Sequence, residues 1–318
     1  MKVFLRENIH PKALELLHSR AEILSDWEQL GQADAIITRN LKLPHSLLVQ
    51  APYLKVIAIH GTGGDGVDLD YCREQGITVL YVPYRNSDSV AELIVALTLS
   101  LLRRLPLADR KVIAGEIKQT APAFLYGHEL GGKVVGLVGV GDIARRAARI
   151  FGQGFGCSLI GYDPAFPHDL ADPLGIQSCQ TLEELMSKAD IINVSVHLSP
   201  STEHLINASR LALCKPEAIL IHTARGGVVD EDALFHALKK GQLAGAACDV
   251  WQQEPPTPDH PLVGLDNVLA TPHLGANTEE ALERVGVRVV EELFTVLDGG
   301  RAEFTYTAPG EGGDPAHG

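Results

Sequence analysis

The stretch 131–164, GGKVVGLVGVGDIARRAARIFGQGFGCSLIGYDP, most constrains what this chain can fold into. Lys133–Val138 is a short, β-branched apolar run, which predicts a buried strand. Gly139-Val140-Gly141-Asp142-Ile143-Ala144 follows directly. Ile143 to Phe151 then reads as a helix, with Ile143, Ala147, Ala148 and Ile150 on its inward face. Ser158–Tyr162 reads as a second strand and ends in Asp163. Strand, glycine turn, helix, strand and acid, in that order, make the first βαβ unit of a dinucleotide-binding domain.

Each position has a physical task. Gly139 permits the tight turn, and Gly141 lets a pyrophosphate approach the backbone. Ala144 keeps helix and strand close. The helix start at Asp142 and Ile143 offers free N–H groups and a partial positive charge to phosphates. Asp142 is an odd neighbour for a pyrophosphate, and a carboxylate turned to solvent is the expectation there. Asp163 is placed to accept hydrogen bonds from ribose hydroxyls and would repel a 2′-phosphate, so the cofactor expected is NAD. The bland alternative is a glycine turn between packed elements that binds nothing.

Around this unit strands and helices alternate, which predicts an α/β fold with parallel sheets. Strands are expected at Lys2–Leu5, Ala35–Thr38, Lys55–His60 and Thr78–Tyr81, with helices at Pro11–Ser19, Pro44–Gln50 and Leu69–Gln75 between them. The turn 61–68, GTGGDGVD, is too glycine-rich to be mere connection. Asn86-Ser87-Asp88-Ser89 reads as a boundary before a long apolar helix, Val90–Leu105, which should be buried or shared with a partner subunit. Arg110–Gly127 reads as a less regular connection. After the glycine unit come helices at Leu182–Ser187, Ser209–Leu213 and Glu231–Lys240, strands at Ile191–Val196, Ala218–Thr223, Gly245–Val250 and Val268–Thr271, and a long helix, Thr278–Leu297. Residues 1–86 plus 285–318 are expected to form one discontinuous domain, and 87–284 the nucleotide-binding domain. The Pro/Gly-rich end, Ala308–Gly318, reads as disordered.

With 318 residues, two domains are the natural expectation. The net charge of -13 argues against nucleic acid and anionic membranes. Cys72, Cys157, Cys179, Cys214 and Cys248 show no CxxC spacing and read as small core residues in a reducing compartment. The N-terminus has no signal-like apolar region and no run is long enough to span a membrane, so a cytoplasmic protein is expected. No histidine or cysteine spacing matches a metal site.

Three later residues fall at strand ends, where ligands bind in open α/β sheets. Arg225, in HTARGGVVDED, offers a guanidinium fork suited to a carboxylate. Glu254, in DVWQQEPP, is mounted on stiff extended backbone by the following prolines. His273, in TPHLGANTEEA, is a candidate acid/base whose pKa and tautomer Glu254 could set. Taken one at a time, each has a bland alternative: Arg225 a surface arginine at a strand end, Glu254 a solvated loop acid, His273 an ordinary loop histidine.

In order along the chain, HGTGGDGVD, NSDSVAEL, ELGGKVVGLVGVGDIARRAARIFG, GYDP, TARGGVVDEDAL, DVWQQEPP and TPHLGANTEEA resemble the D-isomer-specific 2-hydroxyacid dehydrogenase family over about residues 50–300. The resemblance implies two parallel-sheet domains, Rossmann-like and flavodoxin-like, with an active-site cleft between them. It implies that Arg225 holds the substrate carboxylate, that His273 exchanges the C2 hydroxyl proton, and that Glu254 pairs with His273. It further implies Asp249 near the nicotinamide carboxamide, and backbone amides of Thr62 and Gly63 completing the carboxylate site. The family is commonly a homodimer, which fits the apolar helix after Val90. The expected reaction interconverts a D-2-hydroxy acid and its 2-keto acid, with 3-phosphoglycerate, hydroxypyruvate/glycerate, glyoxylate and D-lactate as candidate substrates.

Some positions depart from the family's pattern. Ile59 stands where an Arg often precedes the glycine turn and helps with a phosphate, His222 where Asn is usual, and His197 where Pro is common. The chain ends shortly after Phe304–Tyr306, so no C-terminal regulatory domain is expected. Two other readings stay open: an NAD(H)-sensing regulator of the co-repressor type on the same scaffold, and an enzyme for a different substrate such as phosphite.

Overall fold

A computed structural model of the chain describes residues 1–307. They divide into two compact units, Met1–Asn86 with the chain from Asn277 on, and Ser87–Ala276. Ala308–Gly318 lies outside the described residues. The second division falls at 276/277, where the sequence reading places it at 284/285. The physical reason is the cap: the Thr278 side chain accepts the Ala281 N–H, so the following helix starts whole and belongs entirely to the first unit.

The first unit runs β1 (Lys2–Leu5), α1 (Pro11–His18), β2 (Glu22–Leu24), β3 (Ala35–Thr38), α2 (His45–Leu48), β4 (Val56–Ile59), α3 (Leu69–Glu74) and β5 (Thr78–Tyr81). The chain then enters the second unit with α4 (Ser87–Leu102), α5 (Leu105–Ile113), β6 (Val134–Val138), α6 (Asp142–Arg149), β7 (Ser158–Tyr162), α7 (His168–Ala171), β8 (Ile176–Ser178), α8 (Leu182–Lys188), β9 (Ile191–Val194), α9 (Ala208–Leu211), β10 (Ile219–His222), α10 (Glu231–Lys239), β11 (Gly245–Cys248) and β12 (Val268–Ala270). It returns to the first unit with α11 (Glu279–Leu297) and β13 (Thr305–Thr307).

The first unit's sheet has the order β13-β5-β4-β3-β1-β2, parallel except for β13. The 2-1-3-4-5 core of that order is flavodoxin-like. Its strands alternate faithfully: Val56 and Ala58 face α1 and α11, whereas Ile57 and Ile59 face the opposite cluster around Leu48 and Cys72. At the β1/β3 switch point the Glu7 carboxylate accepts the backbone N–H groups of Arg39 (2.7 Å), Asn40 (2.7 Å) and Leu41 (3.2 Å). An amide nest that could hold an anion is therefore filled by the chain's own carboxylate.

The second unit's sheet is parallel throughout, in the order β12-β11-β10-β9-β6-β7-β8. Its direction of winding reverses between β6 and β9. Val135, Leu137, Ile219 and Ile221 pack on one face with α4 and α6, and Val138, Ile192, Val194 and Leu220 on the other with α8 and α10. Helix α4 is core: Val90, Ala91, Ile94, Val95 and Leu97 are buried within this unit.

Several details differ from the sequence reading. The α4 helix stops at Leu102, because Arg104 adopts a left-handed φ of 51°. Pro106 then sits in the first turn of α5, where its missing N–H costs nothing. Residues 110–113, read as part of an irregular connection, are therefore helical. After α6 the chain widens into a π turn at Ile150–Gly154 instead of ending at Phe151. Strands β2, β8 and β13 have three residues each and carry no apolar run, so periodicity could not reveal them. Among the described residues, no helix is long and apolar enough to cross a membrane.

Candidate active site

The glycine turn sits at the switch point of the second unit, off the carboxyl ends of β6 and β9. Gly139 has φ 85°, and a Cβ there would lie 2.6 Å from the Ser195 carbonyl oxygen. Only glycine fits. A Cβ on Gly141 would meet nothing within 4 Å, so open space adjoins the start of α6. Ala144 is fully buried beneath it. The first N–H groups of α6 have no partner within the helix. Open space, unpaired amides and a helix dipole together form a cradle that fits a pyrophosphate.

Asp163 stands at the end of β7, half-buried. One of its oxygens accepts the Val140 N–H at 3.0 Å and the other the Ala165 N–H at 3.0 Å. It thus ties the glycine turn to the strand that a ribose would follow, and keeps lone pairs for hydroxyl donors. The Asp142 carboxylate is not simply turned to solvent. It binds Arg146 Nε at 2.9 Å, and Arg146 also binds Asp88. Its negative charge is thereby drawn along the helix and compensated. Ile143 packs partly buried against the core on the same helix.

The later residues gather at the ends of β10 and β11. His273 Nδ1 lies 2.8 Å from Glu254 Oε2, and the other Glu254 oxygen accepts the Trp251 N–H at 3.1 Å. The side chains are 33% and 35% exposed, which leaves them reachable by a ligand yet partly desolvated. Burial opposes ionisation of Glu254. The hydrogen bond and charge of His273, the Trp251 amide and the Arg225 guanidinium outweigh it and hold the carboxyl below its usual value. Arg225, Glu254 and His273 are therefore one electrostatic unit. With Nδ1–H donated to Glu254, Nε2 is left to exchange a proton.

Local structure explains how the sequence delivers this geometry. Arg225 follows β10, half-buried, and its Nη1 donates to the Ala224 carbonyl at 2.8 Å. A Cβ on Gly226 would lie 1.9 Å from the Trp251 carbonyl oxygen, so the Arg225 loop presses directly on the backbone that leads to Glu254. Gly227 has φ 90°. His273 has a left-handed φ of 57°, which costs a side-chain-bearing residue about 1 kcal/mol.

Asp249 holds that strained backbone in place. It is 1% exposed. Its oxygens accept Thr271 Oγ1 (2.6 Å), the Leu274 N–H (2.7 Å) and the Gly275 N–H (2.9 Å), and its carbonyl accepts the His273 N–H (2.8 Å). Sequence reading placed Asp249 at the nicotinamide end. In the structure it is the post around which the His273 loop is wound, a role its burial alone could not signal in the sequence. Trp251, which the sequence reading gives no role, locks the same loop by donating Nε1–H to the Thr271 carbonyl at 3.0 Å.

His222 is 2% exposed, and its Nδ1 has no partner. Burial pushes its pKa down to about 4, against smaller upward pulls from the Arg225 carbonyl and the Glu254 charge. It is neutral at pH 7, as the Asn usual there would be. Thr62 and Gly63 lie in the first unit, on the half-buried turn after β4. Among the described residues no group of three or more His, Cys, Asp or Glu side chains could hold a metal ion.

Residues 95–275 match the family model described as D-isomer specific 2-hydroxyacid dehydrogenase, NAD binding domain. The chain is 36% identical to D-3-phosphoglycerate dehydrogenase of Methanocaldococcus jannaschii over 97% of its own length, and spans 60% of that protein. It is 38% identical to glyoxylate reductase of Thermofilum pendens, over 88% of this chain and 82% of that one. The crystal structure of D-lactate dehydrogenase from Aquifex aeolicus, complexed with NAD and lactic acid, superposes with a TM-score of 0.82 at 30% identity, covering 94% of this chain and 96% of that one.

Gly226→Ala should lower stability by about 2–4 kcal/mol, because the new methyl meets backbone rather than a side chain that can rotate away. Urea unfolding tests this, and an unchanged midpoint would show that the loop relaxes freely.

Proposed function

The chain belongs to the D-isomer-specific 2-hydroxyacid dehydrogenase family, and from that premise we propose that it is an NAD-dependent oxidoreductase interconverting a D-2-hydroxy acid and its 2-keto acid. The observation that carries the proposal is the His273–Glu254 pair at 2.8 Å, with the Arg225 charge acting on the same carboxylate. A bound nicotinamide cofactor would supply the redox chemistry, NAD+ as acceptor of the C2 hydride and NADH as its donor. Gly139, Gly141 and the amides at Asp142 and Ile143 would hold its pyrophosphate, and Asp163 its ribose.

The protein's own residues account for the rest. Arg225 binds the substrate carboxylate through its fork and orients the reacting carbon. His273 gives a proton from Nε2 to the carbonyl oxygen during reduction and takes it back during oxidation. Glu254, held ionised, stabilises the imidazolium and fixes the ring's tautomer. The amides of Thr62 and Gly63 add carboxylate donors. The named relatives act on phosphoglycerate, glyoxylate and lactate, whose common part is the 2-hydroxy or 2-keto acid group, and this group is what the residues here recognise. The proposed assembly is a homodimer. Leu105, Val112, Ile113, Phe124 and Tyr126, on α5 and the segment after it, are 49–78% exposed, an apolar surface that a second copy would cover.

Oxidation of NADH with glyoxylate, hydroxypyruvate, pyruvate and phosphohydroxypyruvate tests the central claim. At least one should turn over, and His273→Ala should cut kcat by roughly 10²–10⁴-fold while leaving NADH affinity nearly unchanged. Tight NADH binding without turnover of any of them would favour the sensor reading instead. Asp163→Asn should raise the NADPH-to-NADH ratio of kcat/KM by roughly tenfold by removing charge from the ribose. An unaltered ratio would remove Asp163 from that role. Light scattering should give twice the chain mass, and Ile113→Glu should shift it toward the monomer; a monomeric wild type would end the dimer proposal.

A further inference from the structure

The turn that carries Thr62 and Gly63 is braced by a residue from the far end of the sequence. Tyr306 lies in β13, the antiparallel edge strand beside β5. Its hydroxyl donates to the Thr62 carbonyl oxygen at 2.5 Å. The hydroxyl is itself well fixed. The Tyr306 ring stacks on Tyr81 with centroids 4.5 Å apart, and β13 is anchored by Thr307, whose Oγ1 donates to the Ile77 carbonyl at 2.7 Å. The ring also occupies the space over Gly64, where a Cβ would lie 3.0 Å from its edge. A side chain at Gly64 would therefore have to displace the Tyr306 ring.

A trans peptide points its C=O and N–H in opposite directions. The Gly61 carbonyl accepts the Val82 N–H at 2.9 Å, and the Thr62 carbonyl accepts Tyr306. Two successive carbonyls are thereby pinned, so the Thr62 and Gly63 N–H groups are both aimed. Neither N–H has an acceptor among the described residues. Donation to a carbonyl also polarises the N–H of the same peptide and makes it the stronger donor.

We propose that Tyr306 is a positioning residue for carboxylate recognition: by pinning the Thr62 carbonyl it aims and polarises the Gly63 N–H toward the substrate carboxylate. This rests on the reading of Thr62 and Gly63 as carboxylate donors. It adds a residue that touches no substrate atom and acts only through one peptide group.

The test is Tyr306→Phe in the full chain, which keeps the ring and removes only the hydroxyl. KM for the best keto acid should rise about tenfold, with kcat within twofold and NADH affinity unchanged. The inhibition constant of oxalate, a dicarboxylate competitor, should rise in parallel. Gly64→Ala provides a second route, since its methyl pushes the ring and the hydroxyl aside; it should raise KM in the same direction. A wild type that turns over keto acids, with KM and oxalate inhibition unmoved in Tyr306→Phe, would overturn the proposal and leave the function standing. A wild type without keto-acid turnover, or with turnover indifferent to Arg225→Lys, would instead overturn the function on which it rests. A fall in kcat and melting temperature with KM unchanged would make Tyr306 merely structural.

Discussion

Asp249 directly follows β11 with almost no exposed surface, and everything around His273 depends on the hydrogen bonds it makes. A buried carboxylate is expensive unless its lone pairs are filled. Here a hydroxyl and two backbone amides fill them, all from residues 271–275. The loop has no independent reason to adopt a left-handed backbone at a histidine; satisfying Asp249 supplies one. The imidazole is then delivered to Glu254 from backbone that cannot drift, which is what a proton-transfer residue requires. The nearby Arg225 loop is set the same way, by close backbone contact at Gly226 rather than by its own propensity.

The two sheets are built on one plan and handle their switch points differently. Both bury strands on two faces with alternating side chains. In the first unit the amides at the switch point are taken by Glu7. In the second, Asp163 takes the Val140 amide and the helix start remains open. The difference between a scaffold and a nucleotide site is here a matter of which amides the chain has already satisfied.

Much of this was legible in the sequence. The glycine turn reads clearly because Gly139 answers a steric demand that no other residue meets and Gly141 leaves open space at the helix start. Arg225, Glu254 and His273 were findable by their places at strand ends, though only a run of motifs in order made them more than loop residues. What stayed hidden depends on contacts between residues far apart in the chain. The bonds Asp249 makes to residues 271–275 show only once the loop some 25 residues on closes over it. Gly226 gives no hint that Trp251 lies against it. Tyr306 is separated from Thr62 by 244 residues, and its strand is too short for periodicity to show. The break at Arg104 was hidden for another reason: a left-handed arginine is a local exception that the surrounding apolar pattern runs straight through.

The filled nest at Glu7 carries a consequence for how the folded state is sustained. A nest whose amides are already met by the chain's own carboxylate draws no stability from an anion in solution. The open helix start of the second unit does. A ligand that binds only the folded turn adds RT ln(1 + [L]/Kd), about 2.7 kcal/mol at a hundredfold excess over Kd. The persistence of the second unit against unfolding and proteolysis therefore tracks the supply of dinucleotide in its surroundings, whereas the amides around Glu7 hold their turn without any ligand.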